Sequence, residues 1–364
     1  MRVIGIIGGG GAIGKVVTRY YERLGYEVLI SDLGMPDSHS LDELLDRCRI
    51  LYISVFPLEH IPPILDQIKA RPNASDYVVL ENGSIKELLS GPFHELDRAG
   101  VSLCATHPLC KADQPWKNQN VLLIPYGKRS ADAVEVALDL YQEAEMNIHF
   151  IDSLEEHDEL MCLLQLVPHL VLRVVSTVFA ELGTDLQLLN SAATANFKLF
   201  YLSLWRVLVQ SPDLSASIID RLLHQPKGRE IFDRLAATLT SLPLKDGERM
   251  ADLFNSFYLK SSPSDIYRDR MNMQGIVTLE RLANLERRSI TIMTEQDRVG
   301  MLREILEPFD ELGINLNAID SHLLAGPKLR FDIGYDAGAT KEQLMVLKER
   351  IEGMGHTFIM TSDE

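Results

Sequence analysis

Apolar residues in the first 153 positions fall in short continuous runs: VIGIIGG, YEVLISD, ILYISVF, DYVVLEN, VSLCATHP, VLLIPYG and IHFIDS. Strands buried on both faces have no polar side, and the spacing between the runs is helical. The pattern therefore predicts a parallel sheet with crossover helices, a doubly wound α/β domain. From LEEHDELMCLLQLVPHLVLRVVSTVFAELG to about residue 286 no strand pattern survives, and helices are expected over 154–183, 185–210, 214–242 in pieces, 245–260 and 263–286. Several, such as LFYLSLWRVLV, are apolar around most of their circumference. Such helices sit centrally in a large domain or against a second subunit, so a helical dimer-forming domain is expected. The last stretch restarts the alternation on a smaller scale. RSITIMTE reads as a strand, GMLREILEPFDELG as an amphipathic helix, INLNAIDSHLL and KLRFDIGYD as a hairpin around AGP, KEQLMVLKERIEGMG as a helix and HTFIMTS as a closing strand. That βαββαβ order is the split ferredoxin-like arrangement. With LANLERR as the second junction, the expected domains are 1–153, 154–286 and 287–364.

Composition refines this picture at three points. A chain of 364 residues, 46% hydrophobic, is long enough for two or three cores, and no apolar run is expected to reach membrane-spanning length. The start, MRVIGIIGGGG, has one Arg and an apolar stretch but no A-x-A-like cleavage site. It is expected to be strand one of a cytoplasmic protein, and four cysteines without a regular framework agree with a reducing compartment. A net charge of −16 argues against nucleic acid or an anionic membrane as partner. An anionic ligand would need locally concentrated donors.

The segment VIGIIGGGGAIGKVVTRYYERLGYEVLISD holds Gly9-x-Gly11-x-x-Gly14 directly after a strand and opening a helix. Gly9 is expected to permit the tight turn, Gly11 to let backbone amides approach a pyrophosphate, and Gly14 to let helix and strand pack closely. Ala12 and Ile13 complete the turn at the helix N-terminus, whose unpaired N–H groups favour an anion. Asp32 ends the second run, where a carboxylate accepts from ribose hydroxyls and repels a 2′-phosphate. The implied cofactor is NAD rather than NADP.

CATHPLC sets His107 between Cys104 and Cys110. Alternation along a strand sends Cys104 and His107 to opposite faces, Cys110 lies beyond Pro108, and no second ligand pair exists, so no metal site is expected. His107 falls instead at the carboxyl end of a strand, where open α/β sheets bind ligands. ENGSIK brings Ser84 and Lys86 to the same edge, with Ser84 alternatively a helix N-cap. These parts suit hydride transfer to a nicotinamide, with His107 as hydrogen-bond acceptor or base on a substrate hydroxyl and Ser84 orienting it.

GGGGAIG, NGSIK before THPL, and EEHDELMCLLQLVPHLV together resemble the prephenate dehydrogenase family, over nearly the whole chain. The resemblance implies a Rossmann dinucleotide-binding domain, an all-α dimerisation domain and a small α+β ACT-like regulatory domain. It implies NAD-dependent oxidative decarboxylation of prephenate to 4-hydroxyphenylpyruvate in tyrosine synthesis. His107 would contact the ring hydroxyl, Ser84 would support it with Lys86 beside it, and His169 would lie near the substrate side chain, one turn after Gln165. His157, Met161, Gln165 and His169 recur every four residues, and Pro168 should kink the helix near that stripe. His157 is expected to be structural. Lys198, with Arg206 two turns on, stands where family members commonly carry an arginine that grips a carboxylate, and lysine lacks the two-pronged fork. Arogenate and 4-amino-4-deoxyprephenate therefore stay open as substrates. Asp297, Gly300 and GIN resemble the ACT pattern, which implies a paired domain with tyrosine or phenylalanine as effector, although DSHLL matches the effector-binding segment poorly. Two rival readings stand beside this one. A β-hydroxyacid-type dehydrogenase is disfavoured because the first long helix of the second domain has no catalytic lysine. The other is a non-catalytic regulatory protein sensing NAD and amino acids.

Overall fold

A computed structural model describes residues 2–260, 273–275, 277–278, 288–323 and 328–360. The expected helix over 263–286, the LANLERR junction and the AGP turn fall largely or wholly outside them. The chain divides into two compact units, residues 1–175 with 210–235, and residues 176–209 with 236–364.

The first unit is built on a seven-stranded sheet of β1 (Val3–Ile7), β2 (Glu27–Ser31), β3 (Ile50–Ile53), β4 (Val78–Glu81), β5 (Ser102–Pro108), β6 (Asn120–Tyr126) and β7 (Asn147–Phe150). The strand order is β2-β1-β3-β4-β5-β6-β7. All seven runs form strands, but the sheet is mixed: β1 to β5 are parallel, β6 runs antiparallel to β5, and β7 is parallel to β6. The expectation of a wholly parallel sheet fails at the β5–β6 connection, because residues 109–119 form no helix. A parallel return needs a crossover of a dozen or more residues, whereas this short loop can only fold back.

Helices α1 (Ala12–Arg23), α2 (Leu41–Arg47), α3 (Ile61–Lys69), α4 (Ser90–Arg98) and α5 (Ala131–Glu143) cover both faces. On one face Val16, Val17 and Tyr21 of α1 and Ala137, Leu140 and Tyr141 of α5 pack on Ile4, Ile6, Tyr52, Leu80 and Cys104. On the other, Leu44, Leu65, Ile68, Phe93 and Leu96 pack on Ile53, Val79, Leu103 and Ala105. Period-two alternation thus divides each strand's apolar residues between two cores. The strand order reverses between β1 and β3, which opens a crevice at their carboxyl ends, where open α/β sheets take ligands.

After β7, Ser153 caps α6 (Leu154–Met161) by accepting from the Glu156 N–H at 3.0 Å. The helix widens into a π-turn, Cys162–Leu166, and resumes as α7 (Val167–Glu181). Pro168 cannot donate to the preceding turn and its ring crowds the carbonyl four residues back, so the backbone distorts there by widening. The helical run Leu154–Glu181 is long and apolar enough to cross a membrane by length and composition. The expectation from uninterrupted runs missed it because Gln165, His169 and Arg173 break the run in sequence while leaving most of the helix circumference apolar. The chain continues through α8 (Leu186–Ser191), α9 (Ala195–Leu208), α10 (Pro212–His224), α11 (Pro226–Thr240) and α12 (Gly247–Lys260). The helix expected over 185–210 is split because the Thr194 hydroxyl caps a new start, accepting from Phe197 N–H at 3.3 Å. Within the first unit, Ile218 and Leu222 of α10 share a core with Met161, Cys162 and Leu166.

In the second unit β8 (Ser289–Thr294), α13 (Met301–Glu311), β9 (Leu316–Leu323), β10 (Leu329–Tyr335), α14 (Lys341–Gly353) and β11 (Thr357–Met360) form an antiparallel sheet of order β11-β8-β10-β9. Ile290, Ile292, Phe331 and Ile333 bury against Ile305, Phe309, Leu347 and Ile351 of its helices. The βαββαβ order read from the pattern is the order found.

One close approach in the first unit is testable. A Cβ on Gly14 would stand 2.2 Å from the Gly8 carbonyl oxygen and 2.8 Å from Gly9 Cα, both backbone atoms that cannot yield. Gly14→Ala is expected to cost on the order of 1–3 kcal/mol, read as a lower thermal midpoint. Gly91→Ala, where nothing lies within 4 Å, should leave the midpoint unchanged or slightly raised.

Candidate active site

β5 carries His107 to the carboxyl edge of the sheet, with 4% of its surface exposed. Its neighbours Leu103 and Ala105 belong to one core and Cys104 to the other, so His107 and Cys104 leave the strand on opposite faces. The strand end is held firmly. Tyr141 Oη donates to Thr106 Oγ1 at 2.8 Å, and Thr106 Oγ1 donates to the Glu81 carbonyl at 3.2 Å.

The partner of His107 is a second histidine. His107 Nδ1 lies 3.0 Å from His157 Nε2, and His157 Nδ1 lies 2.7 Å from Asp158 Oδ1. His157 and Asp158 are 0% and 3% exposed. Asp158 also accepts from the Lys86 backbone N–H at 2.9 and 3.1 Å and from Gln225 Nε2 at 2.9 Å. Acting only as an acceptor, the carboxylate requires the proton of neutral His157 on Nδ1, which leaves its Nε2 as an acceptor. His107 must then donate from Nδ1, and its Nε2 keeps the lone pair. The network thus assigns both tautomers, and Nε2 of His107 has no hydrogen-bond partner among the described residues. Burial first, then neighbouring His157 and Lys86, holds the His107 pKa well below the usual imidazole value. Burial also lowers that of His157, against the pull of Asp158. Both rings are neutral at pH 7.

Lys86, expected beside a substrate, is fully buried instead. Its ammonium donates to Glu81 Oε2 at 2.6 Å and to the Thr106 carbonyl at 2.9 Å, with both side chains of the pair 0% exposed. It ties β4 to β5 beneath the histidines. Burial raises the Glu81 pKa and Lys86 opposes the rise. Ser84, expected to orient His107, is half-buried and makes no hydrogen bond to it; His157 has that place. His157, expected to be structural, bridges His107 and Asp158.

Farther along the helix, Gln165 Oε1 and His169 Nδ1 are buried without a hydrogen-bond partner among the described residues, a condition that a bound ligand can relieve. Burial lowers the pKa of His169, and the charges of Arg173 and Lys111 lower it further. Arg173 donates to the Gln210 carbonyl at 3.1 Å and to Ser215 Oγ at 3.0 Å. It continues the four-residue spacing of 157, 161, 165 and 169, the signal that could have found it. Asp158, Gln225 and Lys111 were also missed. Lys198, half-buried, and Arg206, exposed, stand on α9 in the second unit.

At the crevice between β1 and β3 the tight turn belongs to Gly8, not Gly9: Gly8 has φ +85°, and a Cβ there would lie 2.2 Å from the Ser54 carbonyl oxygen. Gly9 packs on Ile30. Gly11 meets no side chain within 4 Å, leaving the approach to the α1 N-terminus open, and Ala12 and Ile13 start that helix. Asp32 accepts from Gly10 N–H at 2.8 Å and Gly34 N–H at 2.7 Å, which holds its carboxylate at the rim. This cradle fits a dinucleotide.

Comparison with known proteins follows the same lines. A family profile described as "Prephenate dehydrogenase, dimerization domain" matches residues 153–254. A probable arogenate/prephenate dehydrogenase of Methanocaldococcus jannaschii is 21% identical over 356 residues, covering 90% of this chain and 78% of its own. Prephenate dehydrogenase of Aquifex aeolicus has a similar fold, with a TM-score of 0.55 at 16% identity over 75% of this chain, for two structures of which 98% and 100% are covered. One of these was solved with hydroxyphenyl propionate and NAD+. Together they indicate the prephenate/arogenate dehydrogenase family. The helix that carries His157, Asp158, Gln165 and His169 lies within the matched segment.

Two measurements test the electrostatics. Removing one partner of the buried Glu81–Lys86 pair strands a charge, so Glu81→Leu is expected to cost about 3–5 kcal/mol in denaturant unfolding, and the Glu81→Leu/Lys86→Met double variant much less. Because burial holds the folded-state pKa values of His107 and His157 below the ordinary imidazole value of about 6.5, the unfolded chain binds more protons in acid. Stability should be constant above that value and fall as pH drops below it, by up to about 1.4 kcal/mol per pH unit for each histidine. His157→Asn should flatten this slope in unfolding curves recorded across that range.

Proposed function

We propose that this chain is an NAD-dependent dehydrogenase that oxidatively decarboxylates prephenate to 4-hydroxyphenylpyruvate, with arogenate as the alternative substrate. The observation that carries the reading is the His107–His157–Asp158 chain, which presents an unprotonated imidazole nitrogen at the sheet edge. The family indicated by the comparisons supports the reaction class, and the names of the relatives include both substrates.

In this reading Gly8, Gly11 and Gly14 would seat the pyrophosphate of NAD+ and Asp32 would receive its ribose, and the dinucleotide would supply the hydride acceptor for the ring carbon that bears the hydroxyl. His107 Nε2 accepts the hydroxyl proton as that carbon becomes a carbonyl. Neutral imidazole is the required state, and burial maintains it. Gln165 and His169 would face the substrate's side chain, and the positive charges of Arg173 and Lys111 would draw its carboxylates into an otherwise acidic protein. Loss of carbon dioxide needs no base, since aromatisation drives it. Residues 1–153 would serve the dinucleotide and 154–286 would serve substrate and dimer formation. Residues 287–364, whose βαββαβ order agrees with an ACT-like domain, would take tyrosine or phenylalanine as effector in a cytoplasmic enzyme.

The test offers purified protein and NAD+ to prephenate, arogenate and 4-amino-4-deoxyprephenate while NADH absorbance is followed. Turnover is expected on prephenate or arogenate, and His107→Asn should lose about 100- to 10,000-fold in kcat while binding NAD+ normally. Unchanged turnover in that variant, or none of the three oxidised by the native chain, defeats the proposal.

A further inference from the structure

The dehydrogenase reading uses His107 and leaves a second buried histidine behind it. We infer that His157, backed by Asp158, receives the proton His107 takes from the substrate and holds it until the product oxygen reclaims it. The chemistry rests on the function proposed above; the geometry does not.

Three buried groups stand in line, with contacts of 3.0 Å from His107 Nδ1 to His157 Nε2 and 2.7 Å from His157 Nδ1 to Asp158 Oδ1. When His107 Nε2 binds a proton, its Nδ1 proton already points at the lone pair of His157. Transfer along that bond leaves His107 neutral, protonated on Nε2, and makes His157 an imidazolium. The surroundings favour the cation in the second position. Among the described residues His107, on β5, faces His157 and the Lys86 ammonium and has no carboxylate of its own in contact. His157 touches the Asp158 carboxylate on its own helix. The loop after β4 brings Lys86 near both rings, but that ammonium is matched by Glu81 of β4, and the turn between α10 and α11 adds only the neutral amide of Gln225.

The proposed reaction creates a need for such a station. The hydroxyl carbon gives its hydride to the dinucleotide and the hydroxyl gives its proton to His107. When the bond to the departing carboxyl group breaks, its electron pair moves through the ring to the carbonyl oxygen, which becomes a phenolate. That oxygen takes one proton to become the phenol, so the reaction as a whole neither releases nor consumes one. A proton lodged on fully buried His157, returned through His107, is kept from solvent between the two steps.

Full-length protein labelled with 15N-histidine tests this without substrate. Long-range proton–nitrogen spectra between about pH 8 and pH 5 should show His107 protonated on Nδ1 alone. On acidification His157 should become the cation before His107, with signals assigned by His107→Asn and His157→Asn. The opposite order, or His107 protonated on Nε2 at neutral pH, overturns the inference. In turnover, His157→Gln keeps an amide oxygen to accept from His107 but cannot take a proton. It is expected to lose about tenfold or more in kcat with little change in KM, and to move the acid limb of the kcat profile by about one pH unit. A variant equal to the native chain in both readouts reduces His157 to a positioning residue. Failure of the native chain to oxidise any substrate overturns the dehydrogenase reading instead, and the spectra still decide where the cation rests.

Discussion

A buried carboxylate organises this site. Asp158 is buried, and three donors make four hydrogen bonds to its two oxygens: the Lys86 backbone N–H to both, His157 to one and Gln225 to the other. Those donors come from the loop after β4, from α6 and from the turn after α10, three segments far apart in sequence. One acidic group therefore joins the dinucleotide-type sheet to the helices that follow it. It does so while setting, through two hydrogen bonds in series, which nitrogen of His107 is free to act. A carboxyl group in water exerts no such directional control, because solvent would satisfy either tautomer equally well.

Beneath the histidines the Glu81–Lys86 pair plays the complementary part. A fully buried ion pair is poor evidence of net stability, since desolvation offsets most of its attraction. Its effect here is positional: the ammonium reaches the Thr106 carbonyl, one residue before His107, and so fixes the strand end that carries that histidine. Rigidity in this place matters because a proton acceptor a fraction of an ångström out of line loses much of its value. The positive charge also reinforces burial in keeping His107 neutral.

The arrangement separates two demands. The crevice between β1 and β3 needs open backbone amides and small residues, supplied by the glycines and by Asp32 at its rim. The side that holds the histidines carries dry, hydrogen-bonded titratable groups, supplied by β5 and α6. The π-turn at Cys162–Leu166 lies between His157 and His169 and carries Gln165 on a widened stretch of helix, so the polar stripe persists through a segment whose other faces are apolar. The second unit's antiparallel sheet has its own core.

Much of the fold was legible from local pattern. Continuous apolar runs marked all seven strands of the first sheet, and the glycine-rich turn with Asp32 marked the dinucleotide-type crevice. The β/α alternation of the last eighty or so residues marked a βαββαβ sheet. Those features depend on neighbours within a few positions, which periodicity and backbone freedom report directly. Tertiary structure decided the rest. Strand direction at β6 turned on a connection too short for a crossover, and which of four glycines took positive φ turned on contact with Ser54. The exchange of Ser84 for His157 beside His107, and the burial of Lys86, turned on groups 50 and 5 residues apart meeting where no water could compete. Residue type and spacing identify groups able to carry a proton; only their packing determines which of them face one another.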